Sequence, residues 1–296
     1  MNGANEGFNY GPFRWWMGMV EDVLDPEKRD RVRVRVYGYH SDNSGDIPSE
    51  DLMWASVIMP PSGASVSGVG INHALKVGTT VFGFWMDGDD AQVPMVLGTL
   101  AGAPGSTGNP FPRYKDESDI NRLARGEKMD DTAVGKSRQN LDTASTAGGG
   151  SWTEPASQAA PEYPLNQVRE SESGHVEEWD DTPGKERLHR FHKAGTFEEI
   201  HPDGTKVTKV VKDDYQIVAG DGYVHISGNV NITVDGNASI KVGGDADMEV
   251  GGNMNQKVGG NATLEVAGSY TVRIGGAHSD TAGGNRTIRA PMIYEN

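Results

Sequence analysis

The chain has 296 residues, 40 of them glycine and none cysteine, with 27 basic against 42 acidic side chains and a formal charge of −15. That length allows one large domain or two to three smaller ones, the cysteine count excludes a disulfide framework and thiol chemistry, and the acidic balance disfavours a grip on phosphate backbones. The opening MNGANEGFNYGPF lacks the basic start and apolar core of a secretory signal, and no apolar run approaches the ~20 residues of a membrane helix, so the expectation is a soluble protein made without export.

Residues 1–102 read as an all-β domain. In RDRVRVRVYGYH, Val32, Val34 and Val36 alternate with Arg31, Arg33 and Arg35, a strand with one apolar face. WASVIMPP, HALKVGTTVFGFWMDGDD and VPMVLGTL supply further strands, separated by Pro60-Pro61 and a Gly88-Asp89 turn. About five short strands in this span suit a small barrel of the OB-fold kind. The arginine stripe has two readings: a basic OB face for nucleic acid, or a charged, solvated strand face. The net acidity favours the second, so nucleic acid is not expected as a partner.

Residues 103–167 have linker composition, rich in Gly, Ser, Thr, Ala and Pro. Only ESDINRLARGEK is helix-like there, starting near a Ser118 cap. From 168 to 225, HVEEW, ERLHRFH, TFEEIH and TKVTKVV alternate again, broken by turns at Thr182-Pro183-Gly184, Ala194-Gly195 and Pro202-Asp203-Gly204, which predicts a β meander. His189, His192 and His201 lie on these strands without ligand-like spacing and read as ordinary surface or core residues.

Residues 226–296 repeat every eight residues. Ile226, Val234, Val242, Val250, Val258, Val266 and Ile274 hold one phase, continued by Ala282 and Ala290. Glycine follows two places on: Gly228, Gly236, Gly244, Gly252, Gly260, Gly268, Gly276 and Gly284. Ile232, Ile240, Met248, Leu264 and Val272 hold a third phase, with Gln256 as its polar exception, while odd positions such as Asn237, Ser239, Lys241 and Asp245 are mostly polar. This is strand alternation with a glycine wherever the chain bends or packs tightly. Hexad acyltransferase helices and nonad calcium-binding repeats fail on period. One apolar face per strand, with so few large residues in each octad, cannot close a core inside one chain. The pattern therefore demands an obligate oligomer, without fixing the number of chains.

FRWWMGMVEDVLDPEKRDRVRVRVYGYH, ESESGHVEEWDDTPGKERLHRFHKAGTFEEIHPDGTKVTK and the octads, in that order, resemble the central spike proteins of contractile phage tails and their type VI secretion relatives. The resemblance implies an OB-fold collar beneath a ring-shaped baseplate hub protein, and below it an intertwined triple-stranded β-helix made by a homotrimer. It implies a virion component, assembled in the host cytoplasm and driven through the host outer membrane when the sheath contracts. The best-known relatives in the family carry a lysozyme domain between collar and needle. Here the interval is linker-like, with Asp116, Glu117, Asp119 and Glu127 in a polar run that has no core to raise a carboxyl pKa. The expectation is a spike that is not an enzyme. A secretion spike and an OB-fold nucleic-acid protein on a stalk are the alternative readings.

The expected trimer core is Ile226, Ile232, Val234, Ile240, Val242, Met248, Val250, Val258, Leu264, Val266, Val272 and Ile274. Gln256, His278, Asp280 and Arg286 are polar on that interior phase and need partners. Gln256 can bond to its symmetry copies or to axial water. Three copies of His278 make a candidate ring for a metal or other ion, against the plainer reading of a wet lower end with Asp280 and Arg286 paired. Pro291 ends strand pairing, and the exposed strand edges beyond it call for a small tip protein bound around Met292, Ile293 and Tyr294.

Overall fold

The computed structural model describes residues 14–101, 119–127 and 141–292. Contacts divide the chain into two compact units, Met1–Thr233 and Val234–Asn296. Among the described residues the regular structure is β, apart from single 3-10 turns at Ser49–Asp51 and Gly88–Asp90.

Strands β1 (Arg14–Asp22), β2 (Arg31–Val36), β3 (Trp54–Val57), β6 (Thr80–Trp85) and β7 (Pro94–Thr99) close a barrel in the order β1-β2-β3-β7-β6. The small hairpin β4 (Ser65–Val66) and β5 (Val69–Gly70) lies between β3 and β6 in the chain. β3 and β7 run parallel and every other neighbouring pair in the barrel antiparallel. Alternation sends Trp16, Val20, Val32, Val34, Val36, Ala55, Val81, Trp85 and Val96 inward. Val34 faces Val20 and Val32 faces Ala55 across the ladders, so successive strands contribute to one apolar layer. Gly83 lets β6 pass close to its neighbours: a Cβ there would sit 2.2 Å from the Met95 carbonyl oxygen and 2.4 Å from the Trp16 ring.

The arginine stripe is not a solvated face, which corrects the sequence reading. Arg35 is buried and forks onto Glu21 through Nε and Nη2 at 2.7 and 2.9 Å, while Nη1 donates to the Ser41 carbonyl and Nη2 also to the Ile47 carbonyl. Arg31 clasps Asp25 at 2.7 and 3.0 Å. Arg33 donates to the Ser49 and Leu52 carbonyls and lies 4.6 Å from the Trp54 ring. These guanidinium groups bind the β1–β2 turn and the loop after β2 to the barrel wall.

The expected helix at ESDINRLARGEK is also corrected. Residues 119–127 make only a turn, with Arg125 N–H donating to the Asn121 carbonyl at 3.1 Å. The cap is the Asn121 side chain, which accepts from the Leu123 and Ala124 N–H groups; Ser118 lies outside the described residues. Leu123 leaves the turn to enter an apolar cluster with Val176, Phe191 and Phe197, and Gly126 at φ +69 stops further winding.

The span read as linker contains a hairpin, β8 (Thr143–Ser145) and β9 (Ser151–Thr153). It also contains the start of the following sheet, because β10 (Asn166–Glu170) opens before residue 168. β10, β11 (Val176–Asp180), β12 (Arg187–Phe191), β13 (Phe197–Ile200) and β14 (Lys206–Lys209) form an antiparallel meander in chain order. Its turns fall where the Pro-Gly and Pro-Asp-Gly signals stand, with Gly184 and Gly204 in the left-handed region at φ 73 and 84.

Replacing Gly83 by alanine forces its Cβ against both the Met95 carbonyl and the Trp16 ring. The expected loss is about 1–3 kcal/mol of barrel stability, read as a lowered thermal midpoint, with a Gly98→Ala control that meets nothing within 4 Å left close to wild type.

Candidate functional site: the octad repeat

Among the described residues, no strand pairing within the chain follows β14. Residues 212–292 run extended and bend at 219–220, 227–228, 235–236, 243–244, 251–252, 259–260, 267–268, 275–276 and 283–284, a bend every eight residues. From Gly220 onward the bends coincide with glycines, and the same phase begins with a bend at 211–212, two octads before the one at 227–228. Among the described residues of this stretch no backbone N–H bonds a backbone carbonyl of the chain. Some eighty consecutive residues therefore keep their main-chain donors and acceptors on offer.

The apolar side chains of this stretch are likewise left exposed within the protomer. Ile226, Val234, Val242, Val250, Val258, Val266 and Ile274 are each about half exposed; Ile232, Ile240, Met248, Leu264 and Val272 are more so. Gly228, Gly236, Gly244, Gly252, Gly260, Gly268, Gly276 and Gly284 present the most telling geometry. None has φ in the left-handed region, and a Cβ on any of them would meet nothing within 4 Å. Neither turn conformation nor close packing inside one chain explains glycine at these positions. What remains is close approach by something outside the chain.

Gln256 and His278 are exposed in the protomer, and Arg286 pairs with Asp280 at 3.0 Å, the pairing the plainer sequence reading anticipates. Met292 is exposed; Ile293 and Tyr294 lie outside the described residues.

The meander carries a second polar constellation that the sequence reading missed. One face of the sheet stacks the cross-strand rows Val176–Phe191–Phe197 and Glu178–His189–Glu199, with Arg187 and His201 at the next level, all buried. Glu178 lies 2.9 Å from Arg187 and 2.7 Å from His189; Glu199 takes Arg187 at 3.1 Å and the Ser157 hydroxyl at 2.6 Å. Asn166 donates to Glu178 and to the Leu123 carbonyl, tying the 119–127 turn over this layer. Burial pushes the Glu199 carboxyl up, but the Ser157 bond and the charges of Arg187 and His189 outweigh it, leaving the group below the ordinary carboxylate range. His189 and His201 are thus parts of an ionic layer inside the sheet. The acidic groups face cations and donors, in an arrangement that fixes strands against one another. The available signal was the alternation itself: Glu178 and Glu199 stand in the same phase as Val176 and Phe197.

Comparison with known proteins locates both regions. Residues 37–183 match the Gp5 N-terminal OB domain, and residues 178–274 and 210–291 match the bacteriophage T4 gp5 C-terminal trimerisation domain. The chain is 37% identical over 252 residues to "Protein Gp5" of Vibrio phage KVP40, a match covering 70% of this chain and 59% of that protein. It is 37% identical over 147 residues to the "Pre-baseplate central spike protein Gp5" of Enterobacteria phage T4, covering 44% of this chain and 25% of that one. The chain therefore spans less than two thirds of the length of the curated relatives it matches. It belongs to the Gp5 family of phage spike proteins.

Two outcomes test the ionic layer. Arg187→Met leaves Glu178 and Glu199 buried without their shared cation, at an expected cost of roughly 3–5 kcal/mol per protomer in chemical denaturation. Because the Glu199 carboxyl titrates below its unfolded value, its ionisation stabilises the fold above the ordinary carboxylate pKa. That contribution fades as pH falls through the depressed value, so the thermal midpoint should drop on acidification, and less steeply in Glu199→Gln.

Proposed function

We propose that this chain is the homotrimeric central spike of a contractile phage tail baseplate, a mechanical needle without its own lysozyme. The observation that carries this reading is the stretch from 212 to 292, bent every eight residues, with its backbone bonds unmade and its glycines unexplained within the protomer. Three such chains wound about a shared axis supply each other's hydrogen bonds. The Val234, Val242, Val250, Val258 and Val266 phase, with Ile232, Ile240, Met248 and Leu264, turns inward, and the glycines admit a neighbouring backbone. Interchain bonds of this kind resist shear because no strand can leave without exposing those of its neighbours. At about 4.8 Å per strand layer the eight or nine octads make a needle of roughly 40 Å.

The OB-fold barrel is the collar that seats under the ring-shaped hub, and a small tip protein caps the stalk around Met292, Ile293 and Tyr294. Sheath contraction then drives the assembly through the host outer membrane. Wall digestion falls to another protein. This is supported by the described residues between β7 and β10, a turn and a hairpin held against the sheet. The interval is too short for a lysozyme domain with its cleft and paired carboxylates.

Light scattering of the full chain should give three times the protomer mass, and unheated SDS gels should retain the trimer band that boiling abolishes. A monomer would sink the needle. Val250→Asp, present three times per trimer at one level, should abolish SDS resistance while leaving barrel fluorescence unchanged. On a peptidoglycan clearing assay the purified trimer should show no lysis; clearing would refute the non-enzymatic part of the proposal.

A further inference from the structure

The outward phase of the stalk is polar for most of its length, as at Asn237, Ser239, Lys241 and Asp245, but not at its beginning. There the same odd positions carry Tyr215, Ile217 and Tyr223, which are 80%, 88% and 91% exposed in the protomer. Large apolar side chains on the solvent face of a strand need a cover.

A candidate cover is present in the hairpin β8–β9. A lone two-stranded hairpin is marginal in water, and this one carries Trp152, paired across the ladder with Ala144 and 45% exposed. It is held at two places on its own chain. At one end Lys209 binds Asp142 at 3.0 Å and Glu154 at 2.8 Å. At the other, the Thr233 hydroxyl donates to the Ser145 carbonyl.

Lys209 and Thr233 are separated by three octads: 210–217, 218–225 and 226–233. In a winding of three chains a bend at every octad carries a chain from one face of the stalk to the next. Three octads return it to the face from which it started. The two strand layers lying between those anchors on that face therefore belong to the other two protomers. In the layers next to 226–233 they are 218–225 of one neighbour and 210–217 of the other. Ile217 holds the same octad position as Thr233, and Tyr223 stands two residues from the equivalent His225.

We propose that the β8–β9 hairpin of each protomer is a clasp across the stalk, seating Trp152 on Ile217 and Tyr223 of second and third copies of this chain. The occupant is a copy of the same chain because the covered residues, 215–223, lie inside the segment that matches the trimerisation domain, so the contact is continuous with that interface. The inference rests on the trimeric reading above. It assigns the span between barrel and sheet a role in locking three chains at the head of the needle.

The absence of native cysteine makes the test direct. Trp152→Cys with Ile217→Cys, and Trp152→Cys with Tyr223→Cys, are introduced into the full chain, treated with a short bismaleimide and run on boiled gels. Cross-linked dimer and trimer bands are expected from each pair and from neither single variant. A cross-link confined within one chain overturns the proposal. So does a thiol at 217 that labels with maleimide as fast as a Ser239→Cys control on the polar face. Protection at 217 without any cross-link to 152 assigns the cover to another segment, and overturns it too. Should the cysteine pairs impair assembly, Trp152→Ala in the Ile217→Cys background serves instead: labelling at 217 should rise about tenfold while the unheated trimer band persists, and unchanged labelling refutes the clasp. Light scattering of the same samples separates the two levels of failure, since a monomer removes the needle itself and a trimer with free clasp residues removes only this inference.

Discussion

Everything distinctive about this chain follows from hydrogen bonds that it cannot make alone. A folded backbone has to satisfy each N–H and C=O with protein or water, and a β-strand can do so within the protein only by lying beside another strand. The barrel and the meander meet that requirement inside one chain, the meander between consecutive strands and the barrel by closing β1 on β6 and β3 on β7. The octads do not, since the bend at each glycine turns the chain away before it can double back. Association is then part of folding for this segment. The rest of the architecture supplies a folded head from which it starts.

The buried ionic layer of the meander belongs to the same economy of strands. Desolvating Glu178, Glu199 and Arg187 is costly, and a well-packed apolar layer of equal volume would often be as stable. What the charges add is selectivity of alignment. Glu178 meets His189 directly across β11 and β12, His189 meets Glu199 across β12 and β13, and a shift of either pair by one residue would turn a charge to the wrong face. Ser157 and Asn166 extend the constraint to the connecting segment, which explains why a stretch of linker-like composition is held against the sheet.

How far the sequence could be read depended on whether the relevant contact was local. Octads were legible because period and phase are properties of the chain itself, and β2 because its valines and arginines alternate without exception. β1 hides its alternation: Trp15 and Met17 are apolar on the outer side, so Trp16, Gly18 and Val20 do not stand out. β10, NQVRE, offers a single aliphatic residue, Val168, and begins on a buried asparagine. The INRLAR stretch has real helical propensity, but Leu123 contributes more by packing on Phe191 and Phe197 than a further turn of isolated helix could return. The arginine stripe was misread because Glu21 and Asp25, the acids that neutralise Arg35 and Arg31, come from the preceding strand and turn and become neighbours only once β1 and β2 pair.

The regularity of the octads has a consequence for assembly. A pattern that repeats every eight residues fits itself again after a slide of eight. Three chains could zip together one octad out of step with most valines still facing valines. The meander breaks this degeneracy at the head because it does not repeat, and the interruptions at Gln256, Asp280 and Arg286 break it again further down, where a slipped chain would set a polar group against an aliphatic one. On this view the imperfections in the repeat are its alignment marks. A more perfect octad array would be stickier, and less certain to finish as three ends of equal length.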